Sequence, residues 1–298
     1  MPSDDDSVKI INGKEIAKEI RSEIENELVN LKNRNITPGL AVILVGDDPA
    51  SNTYVRMKQK MCEELGIKTK DSRPGSDISQ EELHLLIEQF NSDDEIHGIL
   101  VQLPLPDQID EKLALSKVLP EKDVDGFHPV NVGKVTLGEG GFIPATPAGI
   151  IEILMRSGND PAGKNLVIIG RSRIVGRPLL NLLTQKRKGG NATVTLCHTA
   201  TEDLSFHTLN ADIIIAAAGS VNILDASMIK EGVVIIDVGA NRVEDPTKKS
   251  GYRLVGDVNF DSVVEKASAI TPVPGGVGPL TIIMLMKNCV IAAGGSFN

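Results

Sequence analysis

At 298 residues the chain is long enough for two domains or one large α/β domain. With 41% apolar residues but no Trp, six Phe and two Tyr, its core must be aliphatic, as parallel sheets usually are. A formal charge of −9 argues against a nucleic-acid or anionic-membrane binder, and three scattered cysteines without CxxC spacing argue against a disulfide framework.

The start, MPSDDDSVKI, is acidic and has neither a signal-peptide apolar region nor an Arg-rich transit pattern. Residues 13–34 read as a charged amphipathic helix, and GLAVILVGDD (39–48) as a buried parallel strand. PASNTYVRMKQKMCEELGI then predicts a helix from Pro49 to Leu65, with Asp48 as N-cap, Pro49 in the first turn and Gly66 as stop. On a helical wheel with Tyr54 at zero, Leu65, Lys58, Cys62 and Val55 fall within about 100° on one side. Met61 and Met57 fall within about 60° on the other. Lys58 therefore sits in the middle of an apolar face. Its stem could pack there while the ammonium snorkels outward. Alternatively, burial could lower its pKa and suit it to proton transfer.

A short strand is expected near 67–71, then a helix over Ser79–Asn91 with a Ser79/Glu82 capping-box pattern. GILVQLPLP (98–106) is another buried strand, interrupted by Gln102 and leaving through two prolines in extended form. LPEKDVDGFHPVN (119–131) is loop-like. Its KDVDG is an acidic turn or a ligand site, though it lacks the remaining ligands of an EF-hand. GKVTLGEGGFIPATPAG (133–149) is turn-rich.

A second unit begins near 150. A helix (149–157), the strand NLVIIG (165–170), the helix Gly176–Arg187 and strands at 192–198, 211–219 and 233–239 indicate a doubly wound parallel sheet. Between strand and helix, GRSRIVG (170–176) occupies the place where a dinucleotide pyrophosphate can bind. Its G-x5-G spacing is not the regular fingerprint, and a purely structural turn gives the same pattern. The next strand ends Cys197-His198-Thr199, without the carboxylate that binds an NAD ribose. Arg171 and Arg173 can instead accept a 2′-phosphate, which favours NADP. The five histidines show no ligand spacing, so no catalytic metal is expected. TPVPGGVGPLT (271–281) is a rigid glycine-rich segment. Leu280–Ala293 is apolar but short, and is broken by Lys287 and Asn288, so it reads as a buried terminal helix.

YVRMK (54–58), GILVQLPLP, KDVDGFHP (122–129), GRSRIVGRP (170–178), ATVTLCH (192–198), DVGAN (237–241), GDV (256–258) and TPVPGGVGPLT occur in order. Together they resemble the bifunctional methylenetetrahydrofolate dehydrogenase/methenyltetrahydrofolate cyclohydrolase family over nearly the whole chain. Ala145, Ala148, Ser220 and Leu280 depart from its usual pattern. The resemblance implies a two-domain α/β enzyme with its active site in a cleft between the lobes. The N-terminal α/β folate lobe would span 1–148, completed by the C-terminal helix 277–298. A Rossmann-like, doubly wound NADP lobe would span 149–276.

By the same resemblance, Lys58 transfers protons, Gln102 tunes it, Tyr54 stacks on the folate ring and Asp125 anchors the pterin, while Asp123 is nearer a structural role. Gly275, Gly276 and Leu280 join the substrate contacts. Cofactor contacts are Gly170, Arg171, Ser172, Arg173, Ile174, Val175, Gly176, His198, Thr199, Gly219, Val238, Gly239 and Asp257. The expected protein is a cytoplasmic homodimer acting on a small folate, with no nucleic-acid or membrane partner. A cyclohydrolase with little dehydrogenase activity and a non-catalytic dinucleotide sensor are the alternative readings.

Overall fold

The computed structural model describes residues 8–248 and 251–297. The acidic start expected to carry no targeting signal, residues 1–7, lies outside them. The chain divides into two compact units. The first is Glu19–Ala145 with Ile282–Asn298; the second is the chain through Lys18 with Thr146–Thr281. This differs from the expected 1–148 lobe at its start, because the strand β1 (Lys9–Ile10) joins the sheet of the second unit. The division also falls within the helix α1 (Gly13–Asn33).

In the first unit, β2 (Gly39–Ile43) leads to α2 (Pro49–Leu65), β3 (Lys68–Ser72), α3 (Gln80–Asn91) and β4 (Gly98–Val101). The three strands are parallel, in the order β3-β2-β4. β2 and β4 are buried along their length, while the edge strand β3 is exposed and charged. Its Lys68 and Lys70 pair with Glu95 and Asp93, which keeps the edge polar and discourages pairing with another chain. Ile43, Leu83, Ile87, Phe90, Ile99 and Val101 form the core beneath α3.

The expected ends of α2 are present. Asp48 accepts the Ser51 N–H, Pro49 opens the first turn, and Gly66 closes the helix at φ 71°. The Ser79/Glu82 capping box of α3 is also formed. Two helices occupy stretches with no expected helix. α4 (Glu111–Lys117) is capped by Asp110, and α5 (Pro129–Leu137) lies in the stretches expected to be loop and turns. Both are too short for a clear 3.6-residue period, and α5 carries a Gly and several β-branched residues in its body.

The second unit runs through α6 (Ala145–Arg156), β5 (Asn165–Ile169), α7 (Gly176–Thr184), β6 (Thr193–Cys197), α8 (Leu204–Thr208), β7 (Ile213–Ala216) and β8 (Val234–Asp237). A hairpin of β9 (Asn241–Glu244) and β10 (Tyr252–Val255) follows. Then come α9 (Phe260–Val263), β11 (Ala269–Ile270) and α10 (Val277–Ala292), which passes back into the first unit. α10 begins inside the segment expected to be a rigid lead-in.

Among the described residues, six strands form a parallel sheet in the order β1-β11-β8-β7-β5-β6. The inner strands β7 and β8 are wholly buried, which explains their unbroken apolar runs. From β5 the chain moves out to β6, then returns past β5 to β7. That reversal is a topological switch point, and a ligand crevice is expected at the carboxyl ends of β5 and β7.

Candidate active site

Within the first unit, α2 buries Ser51, Val55, Cys62 and Leu65. Tyr54 and Met57, counted as apolar on the wheel, are instead 45% and 49% exposed. Lys58 lies at the border of these faces and is half-buried. Its Nζ donates to Gln102 Oε1 at 3.0 Å. Gln102 follows β4, where its N–H donates to the Ile43 carbonyl at 2.9 Å. Its own Nε2 donates to the Leu103 carbonyl at 2.7 Å, so its Oε1 is left facing the lysine. The amide can therefore accept a hydrogen bond from Lys58 as either ammonium or amine.

Burial lowers the Lys58 pKa; Asp125, Cys289 and Cys62 oppose the shift, in that order. Burial also raises the Asp125 carboxyl to about 6, with Lys58 pulling it down and Asp123 pushing it up. Desolvation thus outweighs mutual attraction in both groups. Both side chains are half-buried rather than enclosed, so they keep surface that a ligand can reach. A reachable amine and carboxyl with opposed, burial-driven shifts mark a candidate site for proton transfer. Cys62 and Cys289 are buried, and burial raises Cys62 to about 12 and Cys289 well above the usual thiol range. Neither is a nucleophile near neutral pH.

The loop carrying Asp125 is held from several sides. Asp123 accepts the N–H groups of Phe127 and His128 at 3.2 and 2.8 Å, and the Asn131 amide at 2.8 Å. KDVDG is therefore an acidic turn whose first carboxylate folds inward. Lys122 donates to the Phe90, Asn91 and Asp93 carbonyls at the end of α3. From α10, the buried Asn288 donates to the Val124 carbonyl at 2.8 Å and the Ile143 carbonyl at 2.9 Å. Sequence reasoning passed over Asn131 and noted Asn288 only as a break in the apolar run that became α10.

In the second unit, the 170–176 turn lies over the switch point. Gly170 has φ 121°, and a Cβ there would stand 2.1 Å from the Ala217 carbonyl oxygen. A Cβ at Gly176 would stand 1.9 Å from the Gly170 carbonyl oxygen. The two glycines let the turn close onto the neighbouring strand end and the start of α7. Ser172 Oγ accepts from the N–H groups of Val175 and Gly176 at 3.1 and 3.4 Å, capping that start. Arg171, Arg173 and Ile174 are exposed, and Val175 is half-buried.

At the end of β6, His198 Nδ1 accepts the Ala200 N–H at 3.1 Å, which directs Nε2 away from that turn, and Thr199 is exposed. Gly219 is exposed beyond β7; past β8, Val238 is half-buried and Gly239 buried.

Like Gly176 and Gly239, three more expected contacts are buried. Asp257 is 0% exposed, and its carboxylate accepts backbone N–H groups of residues 218–220. Leu280 is also 0% exposed, packed where a Cβ on Gly149 would come within 2.6 Å of its own. Gly276 is buried against Thr271 and Pro272, and a Cβ on Gly13 would stand 1.8 Å from its carbonyl oxygen. Gly275 is half-buried with φ 112°. Among the described residues no cluster of His, Cys, Asp and Glu could hold a metal ion.

Residues 11–125 match the family model "Tetrahydrofolate dehydrogenase/cyclohydrolase, catalytic domain", and residues 144–296 match that family's NAD(P)-binding domain. The chain is 52% identical over 284 residues to the bifunctional protein FolD of Bacillus subtilis, covering 95% of this chain and 97% of that protein. It is similar to the crystal structure of the bifunctional FolD of Campylobacter jejuni, with TM-score 0.91 and 50% identity, covering 97% of this chain and 99% of that one. A Trypanosoma brucei dehydrogenase-cyclohydrolase, solved with NADP cofactor and inhibitor, superposes with TM-score 0.91 at 40% identity, covering 99% and 98% of the two chains.

Proposed function

The chain belongs to the tetrahydrofolate dehydrogenase/cyclohydrolase family, and on that premise we propose that it oxidises 5,10-methylenetetrahydrofolate with NADP and hydrolyses the methenyl product to 10-formyltetrahydrofolate. The observation that carries this reading is the 3.0 Å hydrogen bond from Lys58 to Gln102, beside a carboxyl that titrates near 6.

The methenyl substrate is a cation, and a neutral amine beside it is better tolerated than an ammonium. Burial lowers the Lys58 pKa and so favours the amine. The amine takes a proton from the water that attacks the methenyl carbon, giving the carbinolamine. It returns that proton to N5 as the carbon–N5 bond breaks, while the carbinolamine hydroxyl loses its own proton to water and becomes the carbonyl of the formyl group on N10. Gln102 holds the nitrogen in place through both protonation states. Asp125, ionised above about pH 6, accepts the amino and ring N–H groups of the pterin. Tyr54 lies one turn before Lys58, and its 45% exposure leaves a ring face for stacking.

The second unit's turn fits a dinucleotide: Gly170 and Gly176 leave no room for side chains, and α7 starts beneath the turn. Arg171 and Arg173 would hold the 2′-phosphate, and Ser172, Ile174, Val175, His198, Thr199, Gly219 and Val238 would line the rest of the site. NADP held there would supply the hydride acceptor for the folate methylene carbon. The reading includes a cytoplasmic homodimer, supported by the resemblance alone. Among the described residues no helix is long and apolar enough to cross a membrane.

The test is a spectrophotometric assay with methylenetetrahydrofolate and each nicotinamide cofactor, alongside hydrolysis of supplied methenyltetrahydrofolate. The expected result is reduction with a clear NADP preference, together with hydrolysis. Hydrolysis without reduction would reduce the protein to a cyclohydrolase. A preference for NAD would overturn the assignment of the two arginines.

A further inference from the structure

Two short segments of the second unit, Asp237-Val238-Gly239 and Gly256-Asp257-Val258, interlock. Asp237 ends β8, and its Oδ1 accepts the N–H groups of Gly239 and Asp257, both at 2.9 Å. Its Oδ2 accepts the Val258 N–H at 3.0 Å. Asp257 faces the other way. Its Oδ2 accepts the N–H groups of Ala218 and Gly219 at 2.6 and 2.9 Å. Its Oδ1 accepts the Ser220 N–H at 3.1 Å and the Asn241 amide at 2.8 Å.

Each carboxylate requires a glycine opposite it. A Cβ on Gly256 would stand 1.8 Å from Asp237 Oδ2, and one on Gly239 would stand 2.4 Å from Asp257 Oδ1. The Asp237 N–H is itself tied to the Thr271 hydroxyl at 2.8 Å, next to β11. Two buried carboxylates in series thus join the ends of β8 and β11 to the loop after β7. Among the described residues neither makes an ion pair; backbone N–H groups supply most of the compensation for their burial.

The loop they hold is the one whose Ala217 carbonyl crowds Gly170 across the switch point. We propose that Asp237 is a positioning residue for the dinucleotide, acting through Asp257 to set Ala218–Ser220 against the 170–176 turn. This rests on the cofactor reading above. The loop's N–H groups are turned to Asp257, so it offers a ligand its carbonyl oxygens and the Ser220 hydroxyl. That edge suits hydrogen-bond donors, such as ribose hydroxyls or a carboxamide. Phosphates fall to the 171–176 turn and the start of α7.

Asp237→Asn is the test, because its amide presents N–H to at least one of the three N–H groups that the carboxylate accepts. NADP binding is read by calorimetry, and hydrolysis of supplied methenyltetrahydrofolate is the control, since it needs no hydride acceptor. The Kd for NADP is expected to rise on the order of tenfold, with kcat and KM of hydrolysis unchanged. Asn241→Ala, which removes one donor to Asp257, gives a smaller rise of about threefold. An unchanged Kd in folded Asp237→Asn overturns the proposal, as does an equal loss of NADP binding and hydrolysis. If Asp237→Asn does not fold, an unchanged Kd in Asn241→Ala overturns it. Wild-type protein that fails to bind NADP overturns the cofactor reading itself.

Discussion

Replacing Asn288 with alanine tests how the Asp125 loop is held. Asn288 is 5% exposed and donates to the Val124 and Ile143 carbonyls at 2.8 and 2.9 Å. Truncation orphans one buried acceptor and one part-buried acceptor, each costing up to about 1–3 kcal/mol. The better helix propensity of alanine returns about 0.5 kcal/mol on α10, and partial hydration offsets more, so a net loss of about 2–3 kcal/mol is expected. Because Val124 directly precedes Asp125, the loosened turn should also raise the folate KM several-fold in the hydrolysis assay, while NADP affinity stays unchanged. Urea unfolding supplies the first number, taken from the transition of the first unit, since two units need not unfold together. A loss below about 0.5 kcal/mol with an unchanged KM would refute the reasoning, because both orphaned carbonyls would then have found other partners.

Further expectations concern charge. The Asp125 carboxylate raises the Lys58 pKa, so Asp125→Asn should move the low-pH limb of hydrolysis kcat to lower pH, by about one unit; movement the other way contradicts the assigned coupling. Burial lifts Asp125 from 3.8 to about 6 in the folded state, so its stabilising contribution is full below about pH 4 and is lost as pH rises through 6. Relative to wild type, Asp125→Asn should therefore gain stability between pH 4 and 7 in urea titrations, and a flat difference would count against the burial argument. Replacing both Arg171 and Arg173 with alanine should lower kcat/KM for NADP at least tenfold while leaving NAD nearly untouched. An undiminished preference for NADP would move the phosphate site elsewhere.

The helix α2 was legible because its ends are written in Asp48, Pro49 and Gly66, and the wheel drew attention to Lys58. The wheel alone left open whether Tyr54 and Met57 are buried, since an exposed apolar face has the same pattern as a buried one; both are exposed. α5 escaped because Pro129 and Gly138 read as breakers, although they are its first residue and its closing cap. β1 is two residues long, and only tertiary pairing identifies it as a strand. The Asn288 bonds join residues 164 and 145 positions apart, beyond any local pattern. Asp257 was expected as a cofactor contact by resemblance alone, and its place in the fold was not legible either. Besides the Asn241 amide, its partners are backbone N–H groups 37 to 39 residues away, and backbone groups leave no mark on side-chain sequence.

Hydrolysis of methenyltetrahydrofolate by wild-type protein and by Lys58→Met bears most directly on the role of the inward lysine. Methionine fills the space of the lysine stem but cannot carry a proton. Wild type should turn the substrate over, and the variant should bind it with an affinity within a few-fold while losing at least a hundredfold in kcat. Full hydrolysis by a folded Lys58→Met variant would contradict the proton-transfer role.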